Sequence, residues 1–254
     1  VDNTPLSLVS DAGIRLTNFN GEEKKGAGGY KREAFGRIHL QYGDPFTNVK
    51  EPFSNFSMTV EAGNDDSAKA NILQIEGSLY GRKIKQTDHS IHCFTISMNY
   101  DLFQNSSFNY GAQSFRANLF SKFKLSENIQ VQLKTGAGII ALAAVHNPSM
   151  YYGEGRNYDY CMGVSLHVGA GINIGNKLFY NFNFNAAGLK TVNGYQSAHM
   201  LFSTTSALRL VIYKNFSIST STSNYYSNDQ YKKNSNLSAH YQFRHFGLGY
   251  KVTI

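Results

Sequence analysis

Ser165 and His167 stand two residues apart. In a β-strand that spacing puts both side chains on one face, so a hydroxyl and an imidazole could approach one another. A serine beside a histidine base, with a third polar group orienting the base, is the arrangement of an acyl-transfer nucleophile. Asp159 has the same parity and could be the third group. The other histidines offer less. His89 and Ser90 are adjacent and point to opposite faces, while His146 and Ser149 are three apart in a loop stretch. Ser197/His199 and Ser238/His240 repeat the two-residue spacing. Such pairs arise by chance in a serine-rich chain. The reading is therefore that no catalytic site is present, with Ser165, His167 and Asp159 the first residues to test if one is.

A second set of residues could do electrostatic work. Glu61, Glu76, Asp101 and Asp159 share the polar parity of their segments with Arg37, Arg82, Arg116, Lys134, His167, Arg209 and Lys251. Buried charges must be paired or solvated. If this face is an interior, two outcomes are open. A salt-bridge network could plug the interior and stiffen the wall, or a narrow watery pore could use its basic excess to favour anions.

These residues need long strands to position them. From Tyr158 to Ile174 every even residue is apolar: Tyr158, Tyr160, Met162, Val164, Leu166, Val168, Ala170, Ile172 and Ile174. No intervening residue is aliphatic, Phe or Tyr. A period of two is a strand with one greasy and one polar face. Strands in soluble sheets run to about 5–6 residues, whereas one crossing a bilayer at a tilt needs about 9–11. The expected fold is an all-β, antiparallel transmembrane barrel of about twelve strands, with lipid outside and a polar interior. The expected strands are Leu6–Asn18, Glu33–Tyr42, Phe53–Gly63, Ala70–Lys83, Ile91–Leu102, Phe108–Phe123, Ile129–Ala143, Tyr158–Ile174, Leu178–Ala186, His199–Ile212, Phe216–Asn224 and a last one reaching Ile254. Twelve strands do not fix the bore, because about eight leave room only for side chains and about sixteen leave a channel.

Connections alternate in length. Ser126–Asn128, Gly175–Lys177 and Lys214–Asn215 are short; Asn147–Arg156, Lys190–Ser197 and Ser227–Ser238 are longer and polar. Bacterial barrels place short turns in the periplasm and long loops outside. By that rule both termini are periplasmic, Gly21–Tyr30 is an outer loop, and Gly43–Pro52 and Lys85–Ser90 are rather long periplasmic links. The start, Val1-Asp2-Asn3-Thr4-Pro5, has neither basic residues nor an apolar run, so a processed chain is expected.

The 254 residues suit one domain over the whole chain, 1–254. Hydrophobic residues make up 41% and the mean hydropathy is −0.35. Those values fit a barrel whose strands are polar on one face. The net charge is +7. Its Lys and Arg are scattered over strand faces and loops, not clustered with stacking aromatics, which argues against nucleic acid as a partner. An anionic headgroup or solute fits better. Cys93 and Cys161 fall on the polar parity near opposite strand ends, too far apart for a disulfide. No Ca²⁺ loop, zinc motif, P-loop or dinucleotide fingerprint is present, so no metal or cofactor is expected.

The stretch Tyr42-Gly43-Asp44-Pro45-Phe46, followed by Lys50-Glu51-Pro52-Phe53, resembles a family of uncharacterised outer-membrane proteins of Bacteroidota-type Gram-negative bacteria that carry a domain of unknown function. The resemblance covers roughly residues 33 to 83 and implies a bacterial outer-membrane location without any activity. Physically, Gly43-Asp44-Pro45 is a turn. A twelve-strand barrel of this length also looks like outer-membrane phospholipase A and certain lipid A deacylases. That phospholipase motif has His before Ser on one face, followed by Asn-Gly. Here Ser165 precedes His167 and Gly169 follows, which departs from it.

The functional expectation is a non-enzymatic outer-membrane barrel, a small pore or binder for polar or anionic solutes. The alternatives are a membrane-embedded lipid hydrolase or deacylase acting on outer-membrane lipid, and a structural or docking subunit that meets other outer-membrane proteins through its long loops.

Overall fold

The computed structural model describes residues 6–21, 31–44, 46, 52–63, 71–104, 108–146, 157–193, 196–231 and 236–253. Twelve strands run β1 Leu6–Gly21, β2 Lys31–Tyr42, β3 Phe56–Gly63, β4 Asn71–Gln86, β5 Ser90–Gln104, β6 Phe108–Lys124, β7 Ile129–His146, β8 Asn157–Ile174, β9 Leu178–Asn193, β10 Gln196–Tyr213, β11 Phe216–Tyr231 and β12 Asn236–Thr253. Each pairs antiparallel with its sequence neighbours, and β1 pairs with β12, so the sheet closes on itself. Closure removes the unpaired edges that a membrane could not satisfy.

The two faces separate as the alternation requires. Outward side chains include Ile38, Leu119, Ile139, Val164, Leu166, Leu210 and Leu248, all well exposed. A continuous belt of bare aliphatics far exceeds what a water-facing surface tolerates. Hydrocarbon is its solvent, so the chain is a membrane barrel. Tyr80, Tyr213, Phe216 and Tyr250 stand out towards the rim that carries the tight turns. The Phe216 and Tyr250 rings lie 4.9 Å apart there. Aromatic residues of this kind suit the level of the headgroups.

Tight turns share one rim. Gly175 and Asn176 both have positive φ, at 57° and 54°, and Lys177 N–H donates to Ile174 O at 3.1 Å. Positive φ at both central residues matches the right-handed twist of the flanking strands. The Lys85–Ser90 link is shorter than expected because β4 runs on to Gln86. Thr87 Oγ1 there accepts from the N–H groups of His89 and Ser90. The first residue of β1 and the last of β12 lie at the rim of the tight turns, since Leu6 pairs with Tyr42, where β2 passes into its link to β3, and Ser7 pairs with Thr253.

Several strands differ from the expected bounds. β3 starts at Phe56 and not Phe53. Phe53 sits at φ 62° and its N–H reaches Ser78 O instead of continuing the ladder. β9 and β11 extend to Asn193 and Tyr231, taking up much of what reads as loop. Beyond the bilayer both faces meet water, so the ladder continues while the apolar alternation stops. The long links themselves, including 22–30, 147–156 and 232–235, lie outside the described residues.

Small residues let the strands approach. A Cβ on Gly138 would overlap the carbonyl of Phe115 on β6, whereas one on Gly36 would meet nothing within 4 Å. Gly138→Ala is therefore expected to destabilise the barrel by about 1–3 kcal/mol through overpacking. Gly36→Ala should stay within about 0.5 kcal/mol. Urea titration of the refolded barrels in lipid vesicles would compare them, and equal midpoints would contradict this packing.

Candidate functional site: the barrel interior

The inward residues form three zones. Towards the loop rim is an apolar cluster of Ile72, Phe103, Ala112, Ile140, Leu142, Cys161, Leu189 and Phe243, with Ala187, Leu201 and Tyr225 packed against it. Phe103 on β5 lies 5.5 Å from the Tyr225 ring on β11 and 6.1 Å from the Phe243 ring on β12. In the ring of twelve strands β5 and β11 are six apart, on opposite walls. These aromatic contacts therefore span the lumen. Both pairs are tilted, and aromatic rings at such separations attract beyond their burial.

The middle zone is charged. Glu61 of β3 receives Arg15 Nη1 at 2.7 Å and His245 Nε2 at 2.7 Å on Oε1, and Arg37 Nη2 at 2.7 Å on Oε2. Arg15 Nε also meets Glu33 Oε1 at 2.7 Å, and Thr17 Oγ1 donates to the same oxygen at 2.8 Å. Ser221 Oγ lies 3.2 Å from His245 Nδ1. Arg15 is fully buried, so its charge is sustained only by these partners. Two further pairs reach across strands: Lys134 to Glu76 at 2.6 Å, and Arg209 to Asp11 at 2.7 Å.

Near the tight-turn rim Phe46 folds back and is buried. Its ring meets Phe120 edge-on at 6.0 Å, Lys122 Nζ lies 5.5 Å from its centroid, and its carbonyl accepts from Cys93 Sγ at 3.4 Å. The turn at Gly43 (φ 80°) begins this fold-back, and Asp44 Oδ1 accepts the Phe46 N–H at 2.9 Å. The interior is thus lined by aromatic side chains at both ends with polar groups between.

Between the apolar and charged zones lies a cavity of about 80 Å³. Its polar lining is Gln74, Asp101, Arg116, Ser165, Asn185 and Ser203; its apolar lining includes Phe103, Ala112, Ile140, Leu201 and Tyr225. Arg116 is 9% exposed, yet its guanidinium makes no hydrogen bond or ion pair among the described residues, and its Nε is buried without a partner. Among the described residues Asp101 accepts only Gln74 Nε2, at 3.2 Å.

The residues singled out from sequence fall as follows. Arg37, Glu61, Glu76, Asp101, Arg116, Lys134, His167 and Arg209 face inward. Lys251 has inward parity, opposite buried Val9, but stands exposed at the rim. Arg82 requires a correction. A bulge between Ser78 and Tyr80 shifts the register of β4 against β5, and Arg82 then pairs with outward Phe94 and is exposed. Lys83 takes the inward place opposite Cys93. The side chain of Asp159 lies outside the described residues. Ser165 and His167 both face the interior and are buried. His167 Nδ1 bonds Asn185 Oδ1 at 2.6 Å, while His167 Nε2 and Ser165 Oγ have no hydrogen-bond partner among the described residues. No hydrogen bond joins Ser165 to His167, and a bilayer lipid on the outer face cannot reach either. Cys93 and Cys161 are free thiols, both buried.

Asp11, Arg15, Glu33 and Phe46 were not foreseen as interior groups. The signal for three of them is in β1 and β2: Ala12, Ile14 and Leu16 alternate with Asp11, Gly13, Arg15 and Thr17, and Glu33 precedes Phe35 and Arg37 at the same parity. Phe46 has no such signal, because it lies on no strand.

No family model matches the chain, and no curated protein matches it. Among solved structures, the NanC porin is 12% identical with a TM-score of 0.42, matched over 96% of this chain and 100% of its own. The KdgM porin, solved with disordered oligogalacturonate, is 13% identical with a TM-score of 0.38, over 95% of this chain and 98% of its own. The Pseudomonas putida toluene transporter TodX is 6% identical with a TM-score of 0.36, over 99% of this chain and 90% of its own. At these values the fold rests on this chain's own closed ladder and not on the likenesses.

Proposed function

We propose that the chain is a non-enzymatic barrel of the bacterial outer membrane that takes small polar solutes, anions foremost, into a narrow charged lumen. In this reading the tight-turn rim and both termini are periplasmic. The observation that supports it best is Arg116: a buried cation with no direct ion pair among the described residues, facing a cavity. A charge taken out of water is costly unless something compensates it. Hydrated or bound anions are the natural compensation. Lys83, Lys122 and Lys251 on the inward parity near the tight-turn rim add a positive field at that end.

The test is the reversal potential across planar bilayers carrying many refolded barrels under a KCl gradient. Anion selectivity is expected, and Arg116→Glu should move the potential towards that of a cation-selective pore. A conductance no greater than that of bare lipid, or a potential unmoved by Arg116→Glu, would overturn the reading.

A further inference from the structure

The cavity carries more than a cation. Arg116 and Asp101 both line it, and no ion pair joins them. Asp101 is held by Gln74, and Arg116 by nothing among the described residues. Ser165 adds a buried hydroxyl whose oxygen has no partner among the described residues. Phe103, Leu201 and Tyr225 line the same cavity and supply its apolar surface. The cavity of about 80 Å³ holds the equivalent of about five to eight waters, at roughly 10–15 Å³ of such volume for each.

Two opposite charges that face one space without a direct ion pair suit a ligand carrying both signs. A lone anion would satisfy Arg116 and repel Asp101; a lone cation would do the reverse. We propose that this cavity binds a small zwitterion with an apolar side chain, an α-amino acid of leucine size. Its carboxylate takes the Arg116 guanidinium and the Ser165 hydroxyl, its ammonium takes the Asp101 carboxylate, and its side chain lies against Phe103, Leu201 and Tyr225. The inference rests on the solute-uptake reading and names its solute class.

Three probes of one shape separate the charges. Leucine carries both, 4-methylpentanoate lacks the ammonium, and 3-methylbutylamine lacks the carboxylate. Isothermal titration of the refolded barrel in detergent is expected to show leucine binding at least about tenfold tighter than either analogue, since each lost hydrogen bond to a charged group is worth about that factor. Asp101→Asn should bring leucine down to the level of 4-methylpentanoate, and Arg116→Gln to that of 3-methylbutylamine. Gel mobility of unheated samples checks that the variants fold; if either fails, the three-probe ranking on the native barrel decides alone. Equal or tighter binding of 4-methylpentanoate would overturn the zwitterion assignment while leaving an anion-taking barrel intact. Binding of none of the three would overturn it too, and the reversal potential would then judge the broader reading separately.

Discussion

Glu61→Ala is expected to cost the barrel about 3–5 kcal/mol, the usual penalty for removing one partner from a buried ionic set. Glu61 is the hub of that set. Its two oxygens hold Arg15, Arg37 and His245, drawn from β1, β2 and β12, against β3. Without the carboxylate, fully buried Arg15 keeps Glu33, and Arg37 loses the ion pair that anchors it. Glu61→Gln should recover little, because an amide turns an N–H₂ group towards one of the cations. Urea midpoints of the refolded barrel in vesicles, followed through tyrosine fluorescence, would report the loss. A midpoint within error of the native one would show that the set contributes no stability.

Opening both aromatic ends should have the largest effect on conduction. Phe103 bridges opposite walls near the loop rim, and Phe46 packs on Phe120 near the tight-turn rim. Phe103→Ala alone leaves the second constriction, and Phe46→Ala alone leaves the first. Each single variant is expected to keep the low conductance of the native barrel, whereas the double variant should give large, steady single-channel steps. Steady steps from either single variant would mean that one constriction controls the bore. Native-like conductance from the double would assign closure to the charged middle zone.

Architecture was legible because lipid imposes a period of two on every membrane-crossing segment. The β8 alternation, with its Gly175-Asn176 turn, specifies a hairpin of that length without reference to anything else. Strand ends were less legible, since β9 and β11 continue into water, where Asn, Ser and Tyr on both faces carry no alternation. Arg82 was misplaced for a related reason. Parity counting assumes an unbroken ladder, and the bulge after Ser78 breaks it. The shift does leave a trace, as outward apolar residues move from Leu73 and Ile75 to Tyr80 and Ile84. The interior partnerships were the least legible part. Lys134 and Glu76 are 58 residues apart, and Asp11 and Arg209 are 198 apart. Only closure of the barrel brings such pairs together, and no local pattern encodes it.

The placement of Glu61 has a mechanical consequence. The seam where β1 meets β12 is closed by a ladder from Ser7↔Thr253 to Gly21↔Ala239, and the ionic hub crosses it, drawing Arg15 of β1, Arg37 of β2 and His245 of β12 onto β3. Amide hydrogens around the hub should therefore trade slowly with deuterium, and Glu61→Ala should speed them before those of the distant wall. One carboxylate thus acts as the rivet that joins the first three staves of the hull to the last.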